Sequence, residues 1–146
     1  MRKLAVAVAA AIAAASALTA CGSGGSGTQV VQGEVLGGTQ LAAVYSQAMD
    51  HASGICGGAI DGTQVIIKAP SGTVLATTTL YMDAKATSAL KLPSSLTSGP
   101  LAHGQIGVYD FSTTIPAGSG PYTVEVVGVS SLVVSASQLH HLQMTC

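Results

Sequence analysis

From residue 30 onward the chain is a series of short β-branched runs, broken at close intervals by Gly, Pro and Ser. Runs of this length cannot bury a helical stripe, but they suit half-buried strands that alternate between a core face and a solvent face. Residues 30–36 read as a first strand and 64–69 (QVIIKA) as a second. Pro70-Ser71-Gly72 follows, where proline pre-sets the backbone for a turn and glycine closes it, so 73–80 (TVLATTTL) returns as the partner strand. Residues 105–111 alternate Ile106 and Val108 with Gly107, Tyr109 and Phe111, giving another strand. Residues 115–121 read as a turn or loop. In 122–129 (YTVEVVGV) Tyr122, Val124 and Val126 share one face, and Thr123 and Glu125 lie on the other. Residues 132–135 and 139–146 complete the set. Many short strands with frequent turn signals indicate an all-β fold, an antiparallel β-sandwich of Ig-like type or a small barrel.

Two stretches fit this pattern less well. Residues 39–50 place Leu41, Val44, Tyr45, Ala48 and Met49 at helical spacing after a candidate Thr39 cap, so a short helix competes there with a strand. Residues 83–100, rich in Ala, Ser, Thr and Pro, read as a long connection. Gly-Thr-Gln recurs at 27–29, 38–40 and 62–64, but the unequal spacing rules out a solenoid.

The first residues carry a different message. Met1-Arg2-Lys3 is cationic, and residues 4–18 are apolar apart from Ser16. That is the n-region and h-region of an export signal. As a helix the apolar run spans roughly 22 Å, against about 30 Å for a bilayer core, too short to span comfortably. The segment ends Leu18-Thr19-Ala20-Cys21, which resembles the bacterial lipobox: one apolar residue and two small ones before a cysteine. The resemblance implies cleavage before Cys21 and a diacylglyceryl group on its sulfur. A plain secretory signal beside an accidental cysteine is the alternative. Gly22-Ser23-Gly24-Gly25-Ser26-Gly27 then reads as a flexible tether. It matches G-x-G-x-x-G by letter only, because no strand precedes it and no helix follows. The chain thus divides into a signal over 1–20, a lipidated cysteine and tether over 21–29, and one sandwich domain over 30–146. Two or three acyl chains would hold such a domain at the membrane without a spanning segment.

Removing residues 1–20 from the 146 leaves 126, enough for one core. That portion has three lysines (Lys68, Lys85, Lys91), no arginine and six acids, a net charge of −3. Nucleic-acid binding, which draws on many Lys and Arg contacts, is excluded as a partner class. Phosphate and carboxylate clamps, which favour arginine, are disfavoured. With no tryptophan, four tyrosines and one phenylalanine, a stacking platform for sugars or bases has little to be built from.

Once Cys21 is lipidated, Cys56 and Cys146 remain as an even pair in an oxidising compartment, and a disulfide between them is expected. Two free buried thiols are the alternative, since sequence does not fix proximity. The spacing matches no zinc pattern and is not C-x-x-C.

Residues 57–65 (GGAIDGTQV), 74–77 (VLAT), Ile115-Pro116 and 122–126 (YTVEV) resemble small secreted lipoproteins of actinobacteria. The stretch 109–126 (YDFSTTIPAGSGPYTVEV) is similar to the prealbumin-like sandwich of carboxypeptidase regulatory-type domains, with an aromatic strand, a proline turn and a tyrosine-led strand. The resemblance covers residues 55–130 and implies place and fold only; it brings no catalytic residue.

Three clusters are candidates for chemistry. In the tail, His140, Met144 and Cys146 would share a strand face with Leu142, and His, Met and Cys are copper ligands. Blue-copper loops place cysteine before histidine and methionine, the reverse of the order here, and a disulfide would consume Cys146. The competing reading puts Leu142 and Met144 in the core with the histidines at the rim. Asp50-His51 and Asp61 lie near glycines around Cys56, as loop polarity commonly does. Serines, histidines and aspartates abound, but no G-x-S-x-G elbow and no H-E-x-x-H occurs.

These readings combine into a membrane-anchored extracytoplasmic lipoprotein, non-enzymatic, with no cofactor. It would serve as a binding or scaffolding module for an envelope protein or small ligand. A copper- or zinc-handling protein using His140, Met144 and a reduced Cys146 is one alternative, and a hydrolase is another. Strand addition at an exposed sheet edge is a physically available way to take a partner.

Overall fold

The computed structural model describes residues 27–48, 54–92 and 106–146. They form two packed sheets, an antiparallel sandwich as the strand pattern requires. The order is β1 (Thr28–Gly38), α1 (Gln40–Ala48), β2 (Cys56–Gly57), β3 (Gln64–Lys68), β4 (Val74–Thr79), β5 (Tyr81–Met82), α2 (Ala84–Ala89), β6 (Ile106–Pro116), β7 (Tyr122–Val126), β8 (Ser130–Val134) and β9 (Leu142–Met144). A single 3-10 turn, Ala136–Gln138, separates the last two. No helix among the described residues is long and apolar enough to cross a membrane.

Sheet B runs β4-β3-β7-β8, antiparallel throughout. Its hairpin forms where Pro70 and Gly72 require it. The Gly72 amide donates to the Ala69 carbonyl at 2.9 Å, and Gly72 sits at φ 84°, a conformation costly for any residue with a Cβ. The strand that returns, β4, pairs with β3 along its length. At buried Leu80 the chain crosses over, and Tyr81–Met82 pairs with β6 instead. The expected strand over 73–80 is β4, and a second short strand, β5, follows it round a sandwich corner.

Sheet A is built on β1 and β6, which pair antiparallel over their whole length from Thr28↔Pro116 to Gly38↔Ile106. The strand expected over 105–111 runs on to Pro116, so Ile115 and Pro116, expected in a turn or loop, are strand because β1 gives each of them a partner. On the other side of β1 two short pieces lie parallel to it, β9 beside Gly33–Val35 and β2 beside Gly37–Gly38. The Cys56–Cys146 disulfide ties β2 to the chain just beyond β9. Gly33 makes the close packing possible. A Cβ there would sit 2.7 Å from Leu142 Cβ and 2.8 Å from both the Leu142 carbonyl and the Phe111 ring.

The core lies between the sheets. Val31, Val35, Tyr109, Phe111 and Ile115 face inward from sheet A, against Val65, Ile67, Tyr122, Val124 and Val126 from sheet B. Fully burying a side chain of this size stabilises by about 1.5–3 kcal/mol. Tyr122, Val124 and Val126 occupy the shared face expected of them, but β7 ends at Val126 in a turn closed by Val129 N–H donating to Val126 O at 3.0 Å.

Residues 40–48 are helical, with the Thr39 hydroxyl accepting from Ala42 N–H at 3.2 Å. The buried face is not the one that hydropathy selects. Ala42 and Ala43 are inside, packed with Ile55 and Ile106, whereas Leu41 and Val44 are 60% and 61% exposed. Within the stretch expected as a connection, Asp83 caps α2 by accepting from Ala86 N–H at 2.9 Å.

Candidate functional site

The outer face of sheet A carries a row of four polar side chains, one from each of four neighbouring strands. Gln143 stands opposite Glu34, Glu34 opposite Asp110, and Asp110 opposite Tyr81. The inward alternation of Val31, Val35, Tyr109 and Phe111 forces Glu34 and Asp110 outward, since neighbours in a strand point to opposite faces. His140 and His141 rise beside the row from the turn before β9, and these six residues are among those that line a groove of about 360 Å³.

Gln143 Nε2 donates to Glu34 Oε1 at 3.0 Å and so orients that carboxylate. Directly across the strands stands a second carboxyl, Asp110, with Asp83 beyond it. Like charges placed opposite each other on a sheet are destabilising. Partial burial, the charges of Asp83 and Glu34, and a hydrogen bond with Asp83 hold the Asp110 carboxyl above the ordinary aspartate range. The groove therefore has an acidic floor, flanked by a phenol on one side and two imidazoles on the other. Chemically it offers acceptors and negative potential, suited to ammonium groups, N–H donors or hydroxyls.

Cys56 and Cys146 are bonded, with sulfurs 2.06 Å apart and Cα atoms 5.0 Å apart. The expected copper set is not brought together. Leu142 and Met144 are buried in the core, Cys146 is in the disulfide, and His140 sits in an exposed turn and not on a strand face with Met144. The expected strand over 139–146 is only Leu142–Met144, because Ser135 and Gln138 close a capping box that starts a 3-10 turn upstream. Among the described residues no group of three or more His, Cys, Asp or Glu could hold a metal ion. Asp61 caps a loop by accepting from Met82 N–H at 2.5 Å. Its charge, after burial, helps push the Tyr109 phenol up. Cys21, Asp50 and His51 lie outside the described residues.

Glu34, Asp110, Tyr81 and Gln143 were not singled out by the sequence. Strand alternation alone points Glu34 and Asp110 outward, but their meeting depends on a long-range pairing register between β1 and β6. Set beside known proteins, the chain matches no family model, no curated protein and no solved structure.

Proposed function

We propose that this protein is a lipoprotein of the cell envelope, anchored through Cys21 on the extracytoplasmic face, whose sandwich is a non-enzymatic binding module. The ligand site is the groove over Gln143, Glu34, Asp110 and Tyr81. The observation that carries this reading is the acidic row itself. Two carboxyls face each other on a solvent-exposed sheet at a cost in stability, and a bound cationic or donor-rich group would remove that cost. The lipobox-like Leu18-Thr19-Ala20-Cys21 and the glycine-serine tether support the address. The absence of a nucleophile elbow or a zinc-protease motif supports the non-enzymatic reading.

The site is tested by calorimetric titration of the intact protein with small amines, amino sugars and neutral sugars. Binding of the amine-bearing class, weakened in Glu34→Gln, is the expected result. Equal silence toward all three classes, or binding that Glu34→Gln leaves unchanged, overturns the assignment. The address is tested separately by labelled palmitate. Wild type takes up label in its mature form and Cys21→Ala does not; a Cys21→Ala protein that stays equally membrane-bound contradicts the anchor.

A further inference from the structure

The point where the chain enters the sandwich is fixed by hydrogen bonds. The Gly27 carbonyl accepts from Ala117 N–H at 2.8 Å, and Gln29 Nε2 donates to the Tyr122 hydroxyl at 2.7 Å. The start of β1, the 117–121 loop and the start of β7 therefore share one end of the fold. The 69–73 turn and Ser135 lie at the same end, since Lys68 pairs with Thr123 and Val134 with Tyr122. Residues 27–33, 69–74, 112–121 and 133–138 contain no charged side chain.

On the outer face of sheet B this end carries one row in register: Val74 beside Lys68, Lys68 beside Thr123, Thr123 beside Val133. Alternation alone would point Val74 inward with Ala76, but the ladder slips between Ile67 and Lys68, and Val74 turns out beside Lys68. Val74 and Val133 are 53% and 67% exposed. Lys68 pairs with Glu125, so the row carries no unbalanced charge. At this end sheet A exposes Val30 at 39%, but its outer face carries Glu34, Asp110 and Asp83, all of like sign.

We propose that the bilayer holding the Cys21 lipid is the partner of this row. The domain leans on the headgroup layer with Val74, Lys68, Thr123 and Val133, and the acidic face of sheet A points away. The inference rests on the Cys21 anchor proposed above and needs no ligand in the groove. Cys21 is six Cα–Cα steps from Gly27, a reach of at most about 21 Å whatever the path. β1 spans eleven residues, about 33 Å of strand. With its Gly38 end on the bilayer, the domain would hold Gly27 out of reach of the anchor, so the charge-free end stays near lipid. Of the two faces at that end, sheet A would bring like-charged carboxyls out of water. Sheet B brings two valines, whose burial at the headgroup boundary is favourable. The Lys68 stem can lie along apolar surface while its ammonium stays in the polar layer.

The chain contains no tryptophan, so single introduced tryptophans report their own surroundings. The lipidated full chain is placed in phosphatidylcholine–phosphatidylglycerol vesicles, with and without bromine on the acyl chains. Val133→Trp and Val74→Trp should shift to the blue and be quenched by bromolipid. Thr114→Trp at the same end of sheet A and Val127→Trp at the far end of sheet B should do neither. Circular dichroism checks the fold of each variant. Flotation of the wild type separates the two claims. Protein that carries no lipid and does not float with vesicles overturns anchor and inference together. Floating protein quenched alike at all four positions, or at none, or most at 114 or 127, overturns the orientation and leaves the anchor standing. A blue shift at 133 that is present without vesicles, and no quenching by bromolipid, means that protein covers the row and equally overturns the orientation.

Discussion

The two sheets solve the same packing problem with different materials. Sheet B is drawn largely from local sequence: a hairpin with a proline-glycine turn, then two strands joined by a tight turn at Gly128. The charges on its outer face are of opposite sign, and Lys68 pairs with Glu125 between β3 and β7. Sheet A joins strands from the two ends of the domain and borrows two short parallel pieces, and a disulfide ties one of them to the chain just beyond the other. The charges on its outer face are of like sign, with Glu34 against Asp110 and Asp83 behind. One sheet has arranged its charges for stability. The other keeps an arrangement that costs stability, and the groove lies there.

Removing the link should break the contrast most sharply. Cys56→Ala/Cys146→Ala releases a cross-link spanning 90 residues, and chain entropy puts the loss at about 4–5 kcal/mol. Chemical denaturation measures the total. Amide exchange should place the earliest opening at β2 and β9, while the β3–β4 hairpin keeps its protection. Leu139, Leu142 and Met144 are buried, so the C-terminal segment should stay docked under native conditions.

Next in size is Gly33→Ala. The added methyl meets the Leu142 backbone carbonyl as well as Phe111, and backbone cannot rotate away, so a loss of about 1–3 kcal/mol is expected. Unchanged stability in a denaturant melt would show that β9 is not held where described. Thr87→Val should cost about 1 kcal/mol, since the Val108 amide loses the hydroxyl that closes the β6 edge. Exchange at that one amide is the sensitive readout. Smallest is Lys68→Met in sheet B. Both partners of its ion pair are 31% exposed, solvent screens them, and a change under about 1 kcal/mol is expected. A larger loss there would erase the distinction between the sheets.

What could be read from the residues follows the same division. The hairpin was legible because Pro70 and Gly72 act within a few residues, and the inward face of β7 because alternation is local. The disulfide was legible by elimination of Cys21. The β1–β6 register was not: nothing in either segment says that Glu34 will meet Asp110. The helix face was misjudged for a steric reason. Gly57 runs so close to α1 that a Cβ on it would lie 2.9 Å from Ala43 Cβ, and Gln40 Nε2 donates to Gly57 O at 3.0 Å. Only small side chains fit that contact, so alanines go in and Leu41 and Val44 go out. At the C-terminus a local capping box over 135–138 leads into a turn that delays the strand expected from 139 until Leu142, and His140 is turned away from Met144. The groove was invisible for both reasons at once, since its floor needs a long-range register and its wall needs that turn.

The claim that the acidic floor is kept for a ligand and not for the fold is tested most directly by the thermal stability of Glu34→Gln/Asp110→Asn across pH. Asp110 in the folded protein holds its proton above the ordinary aspartate range. Its contribution is therefore fully present below that range and is lost as pH rises through the folded value. Wild type should lose stability over that interval. The double variant, which keeps an amide oxygen as acceptor for Gln143, should not, and it should melt higher than wild type at neutral pH. A double variant that melts lower at neutral pH would show that the two carboxyls stabilise the fold, and would contradict the account.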